Sequence, residues 1–184
     1  MKKMSLSKRI SFGAICLALC YVLPLILHAV GGGKVLSPMH FPVLLCGLVC
    51  GPLYGALCGL LGPILSSLLS GTPPATQLMS MVPELIVYGV LSGLLFNIVN
   101  IRSLAARIYI SMIPAMLAGR IIGGIAKAFV YISNAEAYSV AAWASSYFIG
   151  TLPGAILQLI LIPAIVVALA KSGIIRTKEK VENE

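Results

Sequence analysis

The sequence predicts an all-α integral membrane protein, a bundle of six transmembrane helices with the N- and C-termini cytoplasmic. Hydrophobic residues make up 59% of the 184-residue chain and charged residues only 10%, whereas a soluble domain carries about a quarter charged residues. At about 20 residues a span, the apolar segments have room for about six helices. The uniform composition predicts one domain over residues 1–184, with a short basic cytoplasmic tail at 171–184.

The distribution of basic residues predicts the topology. The net charge of +8 comes mainly from three clusters, at the N-terminus, in one central loop and in the tail. Positive residues stay on the cytoplasmic side of a membrane, so all three clusters are expected inside. The charge therefore follows topology, and nucleic-acid binding is not predicted.

The first half of the chain predicts three helices. The first covers about residues 7–27; it begins like a signal peptide but has no clear cleavage site, so we interpret it as a retained helix. Residues 41–70 are too long for one span and short for two. Gly51-Pro52 divides them into helices at about 41–50 and 52–69, and this even count places every basic cluster inside. We expect the short first member to be tilted, re-entrant or shielded by neighbours.

The second half of the chain predicts three further helices separated by loops. They cover about residues 77–99, 105–132 and 140–170. Because proline disrupts helices, we expect a kink at Pro114 and interruptions at Pro153 and Pro163.

Three charged residues fall inside the predicted helices away from their cytoplasmic ends, where charge is rare and usually faces a cavity or a partner. At 1.5 Å per residue, Glu84 lies roughly 10 Å deep from the outer side, Arg120 roughly 16 Å and Lys127 roughly 6 Å. Arg120 and Lys127 are seven residues apart and share a helix face. One interpretation is a structural Glu84–Arg120 ion pair. The other is an outward-facing positive site, extended by Lys34, for a carboxylate or phosphate. A further interpretation of Lys127 is that its side chain extends to the outer lipid headgroups.

Polar and aromatic residues at the same level are further candidates for substrate binding. His40 follows the first outer loop, Asn134 lies in the last outer loop, and Trp143 begins the last helix. A ligand pocket combines apolar walls with a few placed polar groups. Alternatively, His40 is only a loop residue, and Trp143 is an anchor at the membrane interface.

Small residues four apart mark helix faces that allow close approach. Such pairs are Ala14 with Ala18, Gly47 with Gly51, Gly55 with Gly59, and Gly119 with Gly123. Packing inside the monomer is the simpler interpretation.

The five cysteines all lie in apolar segments, without a CxxC pair, and are interpreted as packing residues rather than disulfides or metal ligands.

The sequence predicts no enzyme, cofactor or metal. It contains no Asp and no GxSxG, HExxH, P-loop or GxGxxG motif, so any energy from ATP has to come from partner subunits. Two alternatives remain: a self-contained small-solute transporter, and a membrane enzyme using Glu84, His40 and Arg120 as its acid–base set.

Four segments carry a resemblance to a known family. They are AICLA at 14–18, SPMHFPVLLCG at 37–47, PELIVYG at 83–89 followed by Ser92-Gly93, and AGR at 118–120. In this order, over nearly the whole chain, the protein resembles the substrate-binding S component of energy-coupling factor (ECF) vitamin transporters.

The resemblance implies a function and a set of partners. Ala14 and Ala18 would dock on a transmembrane coupling subunit, and two cytoplasmic ATPases would complete an ABC-type importer. A vitamin would be held near the outer face, capped by the loops at 31–40 and 71–77, and released inside. The positive site favours an anionic vitamin, with pantothenate first; folate, cobalamin, riboflavin and a pyridoxine-type compound stay open.

Overall fold

The computed structural model describes residues 5–29, 31, 36–133 and 139–174. Over these residues the regular structure is entirely helical. The helices are α1 (Leu6–Ala29), α2 (His40–Cys50), α3 (Pro52–Ser70), α4 (Ala75–Ile98), α5 (Leu104–Ser133), α6 (Val140–Ala144) and α7 (Leu152–Lys171). Five of them, α1, α3, α4, α5 and α7, are long and apolar enough to cross a membrane. The prediction of an all-helical membrane protein is confirmed.

The short helix α2 lies at the centre of the bundle. All of its residues except Phe41 are buried, and it contacts α1, α3, α4 and α7. Its 11 residues rise about 16 Å, roughly half the thickness of the hydrocarbon core. The neighbouring helices therefore cover a segment too short to cross a bilayer alone, which is the shielded arrangement expected from its length.

Glycines allow α2, α3 and α4 to cross at backbone contact. A Cβ at Gly55 of α3 would lie 2.5 Å from the carbonyl oxygen of Gly89 in α4, and one at Gly59 would lie 2.5 Å from that of Leu85. Gly119 and Gly123 of α5 instead make room for the side chains of Tyr88 and Glu84 on α4. These small-residue faces are therefore used for packing inside the monomer.

Helix α1 has one buried and one exposed face. Cys16 and Cys20 are completely buried, and the thiol of Cys20 lies 3.7 Å from that of Cys58 on α3. Ala14 and Ala18 are exposed to the surroundings. The small face of α1 thus stays uncovered, unlike the glycine faces of the other helices.

The predicted last helix differs from the observed structure. Residues 140–170 form α6, a π-helical turn at Ser145–Ile149, and α7, which begins only at Leu152. Pro153 lies in the first turn of α7, where a missing N–H is tolerated, so the break falls before this proline and not at it. Pro163 lies inside α7 and Pro114 inside α5, so the expected interruption at Pro163 is wrong.

Candidate functional site

A cavity of about 830 Å³ opens at the end of the bundle where α1 and α5 end and α4 and α7 begin. This volume lies within the range of small-molecule sites, about 300–1,000 Å³. Its wall combines apolar surface with many charged and polar side chains: His28, Ser37, His40, Thr72, Thr76, Gln77, Ser80, Glu84, Arg120, Lys127, Tyr131, Ser146, Tyr147, Thr151 and Gln158. Four of the predicted site residues, Glu84, Arg120, Lys127 and His40, come together here.

Glu84 is paired with a histidine. Its carboxylate is buried on α4, and its Oε1 lies 3.1 Å from Nε2 of His40, the first residue of α2. The other oxygen, Oε2, lies against Gly123 of α5, where a Cβ would approach to 2.7 Å. The absence of a side chain at Gly123 therefore makes room for the carboxylate between two helices.

Arg120 lies one turn before Gly123 on α5 and bonds to neutral groups. Its Nε donates to the hydroxyl of Tyr88 at 3.3 Å, and Nη1 donates to the backbone carbonyl of Tyr147 at 2.5 Å. The guanidinium also lies 5.4 Å from the ring centroid of Phe148. Of the two interpretations left open by the sequence, a direct Glu84–Arg120 ion pair is not the observed arrangement, because Gly123 occupies the position that faces Glu84.

Lys127 shares the cavity wall with Arg120. Its ammonium lies 5.5 Å from the ring centroid of Tyr147, in the π-helical turn that also accepts from Arg120. A π-helical turn leaves its backbone displaced from regular α-helical register and is often found at functional sites. The two cations predicted to share a helix face therefore lie beside the same turn of chain.

The remaining predicted residues lie elsewhere. Trp143 is half-buried next to the cavity rather than on its wall. Its indole N–H donates to the backbone carbonyl of Arg120 at 3.3 Å, and its ring packs on Gly124 and edge-on against Phe148. Asn134 and Lys34 lie outside the described residues.

Three residues of the site were missed by the sequence reasoning. Tyr88 follows Glu84 by four residues and so shares its helix face, a signal that the spacing offered. Gln158 is a buried amide in an apolar helix and donates to the carbonyl of Ser37 at 3.5 Å; its polarity was a second available signal. Tyr147 contributes a backbone carbonyl, for which side-chain chemistry gives no indication.

Several membrane-capable helices around a cavity with buried charges of both signs are typical of solute-binding membrane proteins. The chain belongs, more particularly, to the family "ECF transporter, substrate-specific component", whose model matches residues 8–175. This is a family of transporter subunits and not of enzymes; its members bind small-molecule substrates and associate with membrane and ATPase modules. No curated protein and no solved structure matches the chain.

Proposed function

We propose that the protein captures a vitamin or vitamin precursor outside the cell and delivers it inward as the binding subunit of an ECF-type importer. The observation that carries this proposal is the cavity with the Arg120 guanidinium in its wall and Lys127 beside it. These donors suit a carboxylate or phosphate. Pantothenate is the first candidate; folate, cobalamin, riboflavin and pyridoxine-type compounds are the alternatives.

The charge distribution supports an outward-facing cavity. Lys8 at the start of α1, Arg102 before α5 and Lys171 at the end of α7 are exposed. All three lie at the helix ends opposite the cavity. By the positive-inside rule, this end is cytoplasmic and the cavity faces outward. We therefore place six helices, including the shielded α2, in the plasma membrane of a prokaryote, with both termini inside.

The exposed face of α1 supports an assembly. Ala14 and Ala18 lie four residues apart and uncovered, a pattern that allows another helix to approach closely. We infer that the transmembrane coupling subunit docks on this face and that two cytoplasmic ATPases supply the energy.

Native mass spectrometry of the gently purified protein tests the proposal directly. A co-purifying vitamin would identify the substrate. If the protein is empty, thermal-shift screening with anionic vitamins follows, and failure of every vitamin to bind would contradict the proposed function.

The Arg120→Gln variant tests the site. It removes the guanidinium charge, and hydrogen bonds to charged groups contribute about 1.5–3 kcal/mol, so vitamin affinity should fall at least tenfold. Arg102→Gln removes a charge of the same kind from an exposed position at the opposite end and should bind like the parent. Equal affinity of the Arg120 variant and the parent would place the ligand elsewhere.

A further inference from the structure

The cavity holds opposite charges that do not neutralise each other. Among the described residues, the ion-pair partner of Glu84 is His40, and the hydrogen-bond partners of Arg120 are the Tyr88 hydroxyl and the Tyr147 carbonyl. Opposite charges attract far more strongly inside a protein than in water. The Glu84 carboxylate and the Arg120 guanidinium line one cavity, yet each is bound to another group. Both are therefore placed to bind a third partner rather than each other.

Tyr88 contacts the partner of Glu84 and Arg120 itself. Its ring is almost completely buried and lies 5.0 Å from the His40 ring in an edge-on contact. Gly119 of α5 packs against the same ring, while the hydroxyl receives the Arg120 N–H. Because this ring is packed between three helices, its hydroxyl is a fixed acceptor for Arg120.

A simple anion does not satisfy both sides of such a site. Arg120 carries five N–H groups, and two are used by Tyr88 and Tyr147. A carboxylate has about four lone-pair sites, and one at Glu84 is used by His40. An anion bound at Arg120 would also lie near the like charge of Glu84. A hydrogen-bond donor on the same ligand would remove that penalty.

We propose that the substrate is bipolar, with a carboxylate or phosphate bound by Arg120 and an N–H or O–H donor on the same molecule bound by Glu84. This inference rests on the proposed function, since it assumes that the cavity takes a small anionic solute. Glu84 becomes the residue that selects among anions: it accepts those with a donor and repels those without one.

A panel of acids tests the inference on the unaltered protein. Pantothenate, biotin, folate and pyridoxal phosphate carry both an acidic group and N–H or O–H donors, whereas lipoate is a carboxylic acid without further donors. Titration calorimetry in detergent should detect binding of at least one donor-bearing acid and none of lipoate. Binding of lipoate at comparable affinity would overturn the inference but leave the proposed function standing. Failure of all panel members, with binding of riboflavin or cobalamin, would overturn the inference alone. Failure of these two vitamins as well would remove both.

The Glu84→Gln variant gives a second test, whose sign separates the two kinds of ligand. The amide keeps the size of the side chain and an oxygen for His40 but removes the charge. A bipolar ligand should bind at least about tenfold more weakly to the variant, whereas a simple anion should bind more tightly because repulsion is lost. Unchanged or tighter binding would overturn the inference. If the variant does not fold, the comparison of acids on the unaltered protein decides.

Discussion

Single side chains at the cavity act through shared neighbours. Tyr88 contacts the His40 ring with its edge and the Arg120 guanidinium with its hydroxyl, so it touches both halves of the polar network. Arg120 in turn holds the π-helical turn through the Tyr147 carbonyl. A change at Tyr88 should therefore affect stability and the position of the guanidinium together.

Tyr88→Phe isolates the contribution of the hydroxyl. The ring stays packed in the core, but the Nε–H of buried Arg120 loses its acceptor, which costs about 1–3 kcal/mol. Thermal unfolding in detergent should show a lower midpoint than the parent. Tyr109→Phe is the matched control, because Tyr109 is exposed on the same bundle and should lose little. Equal midpoints for the two variants would contradict the assigned role of the Tyr88 hydroxyl.

Charge in an apolar segment is the signal that made part of the site predictable. Glu84, Arg120 and Lys127 are conspicuous in their helices, and helical rise gives their depth. The rise per residue does not show how each helix is rotated about its own axis, however. For this reason the sequence left open whether Arg120 faces Glu84, and the structure places Gly123 there instead.

At the scale of helices, backbone contact between α3 and α4 depends on the lack of side chains. Gly55 and Gly59 lie on one face of α3 and meet the carbonyls of Gly89 and Leu85. Because α4 carries Glu84 and Tyr88, this close crossing also sets the position of the cavity wall. Stability and site geometry therefore depend on the same contact.

Gly55→Ala tests the crossing. Its Cβ would lie 2.5 Å from a backbone carbonyl, which cannot move aside as a side chain does, so the helices must separate at a cost of about 1–3 kcal/mol. Gly13→Ala places a Cβ at an ordinary 3.6 Å from Tyr54 and should be neutral or stabilising, since glycine costs about 0.5–1 kcal/mol in a helix. Thermal unfolding compares them, and a Gly55 variant as stable as the Gly13 variant would exclude a tight crossing.

Helix positions were largely predictable because apolar length and glycine–proline breaks determine them locally. The short α2 (His40–Cys50) and the break at Gly51-Pro52 are of this kind. The end of the chain was harder. Proline at 153 signals a helix break, but the same residue is favoured in a first turn, and only packing decides between them. The π-helical turn that places Tyr147 beside Arg120 has no counterpart in the hydrophobic pattern.

At the scale of the whole molecule, the proposed function assigns binding and delivery to different surfaces. The cavity lies at one end of the bundle, whereas Ala14 and Ala18 lie along the exposed side of α1. In a bilayer the hydrophobic effect does not drive two helices to associate, because lipid is as apolar as their side chains. Close packing of small residues stabilises the contact instead. An uncovered small face on a membrane helix is therefore expected to meet another protein.

Ala14→Leu separates the two surfaces. A larger side chain on the exposed face should not reach the cavity, so the isolated protein should bind the vitamin with unchanged affinity. In proteoliposomes with the coupling subunit and the ATPases, the same side chain would hold the partner helix away and ATP-dependent uptake should be lost. Ala164→Leu, at an exposed alanine of α7, should affect neither measurement. Normal uptake by the Ala14 variant would move the docking surface away from α1, and loss of binding would show that this face supports the cavity instead.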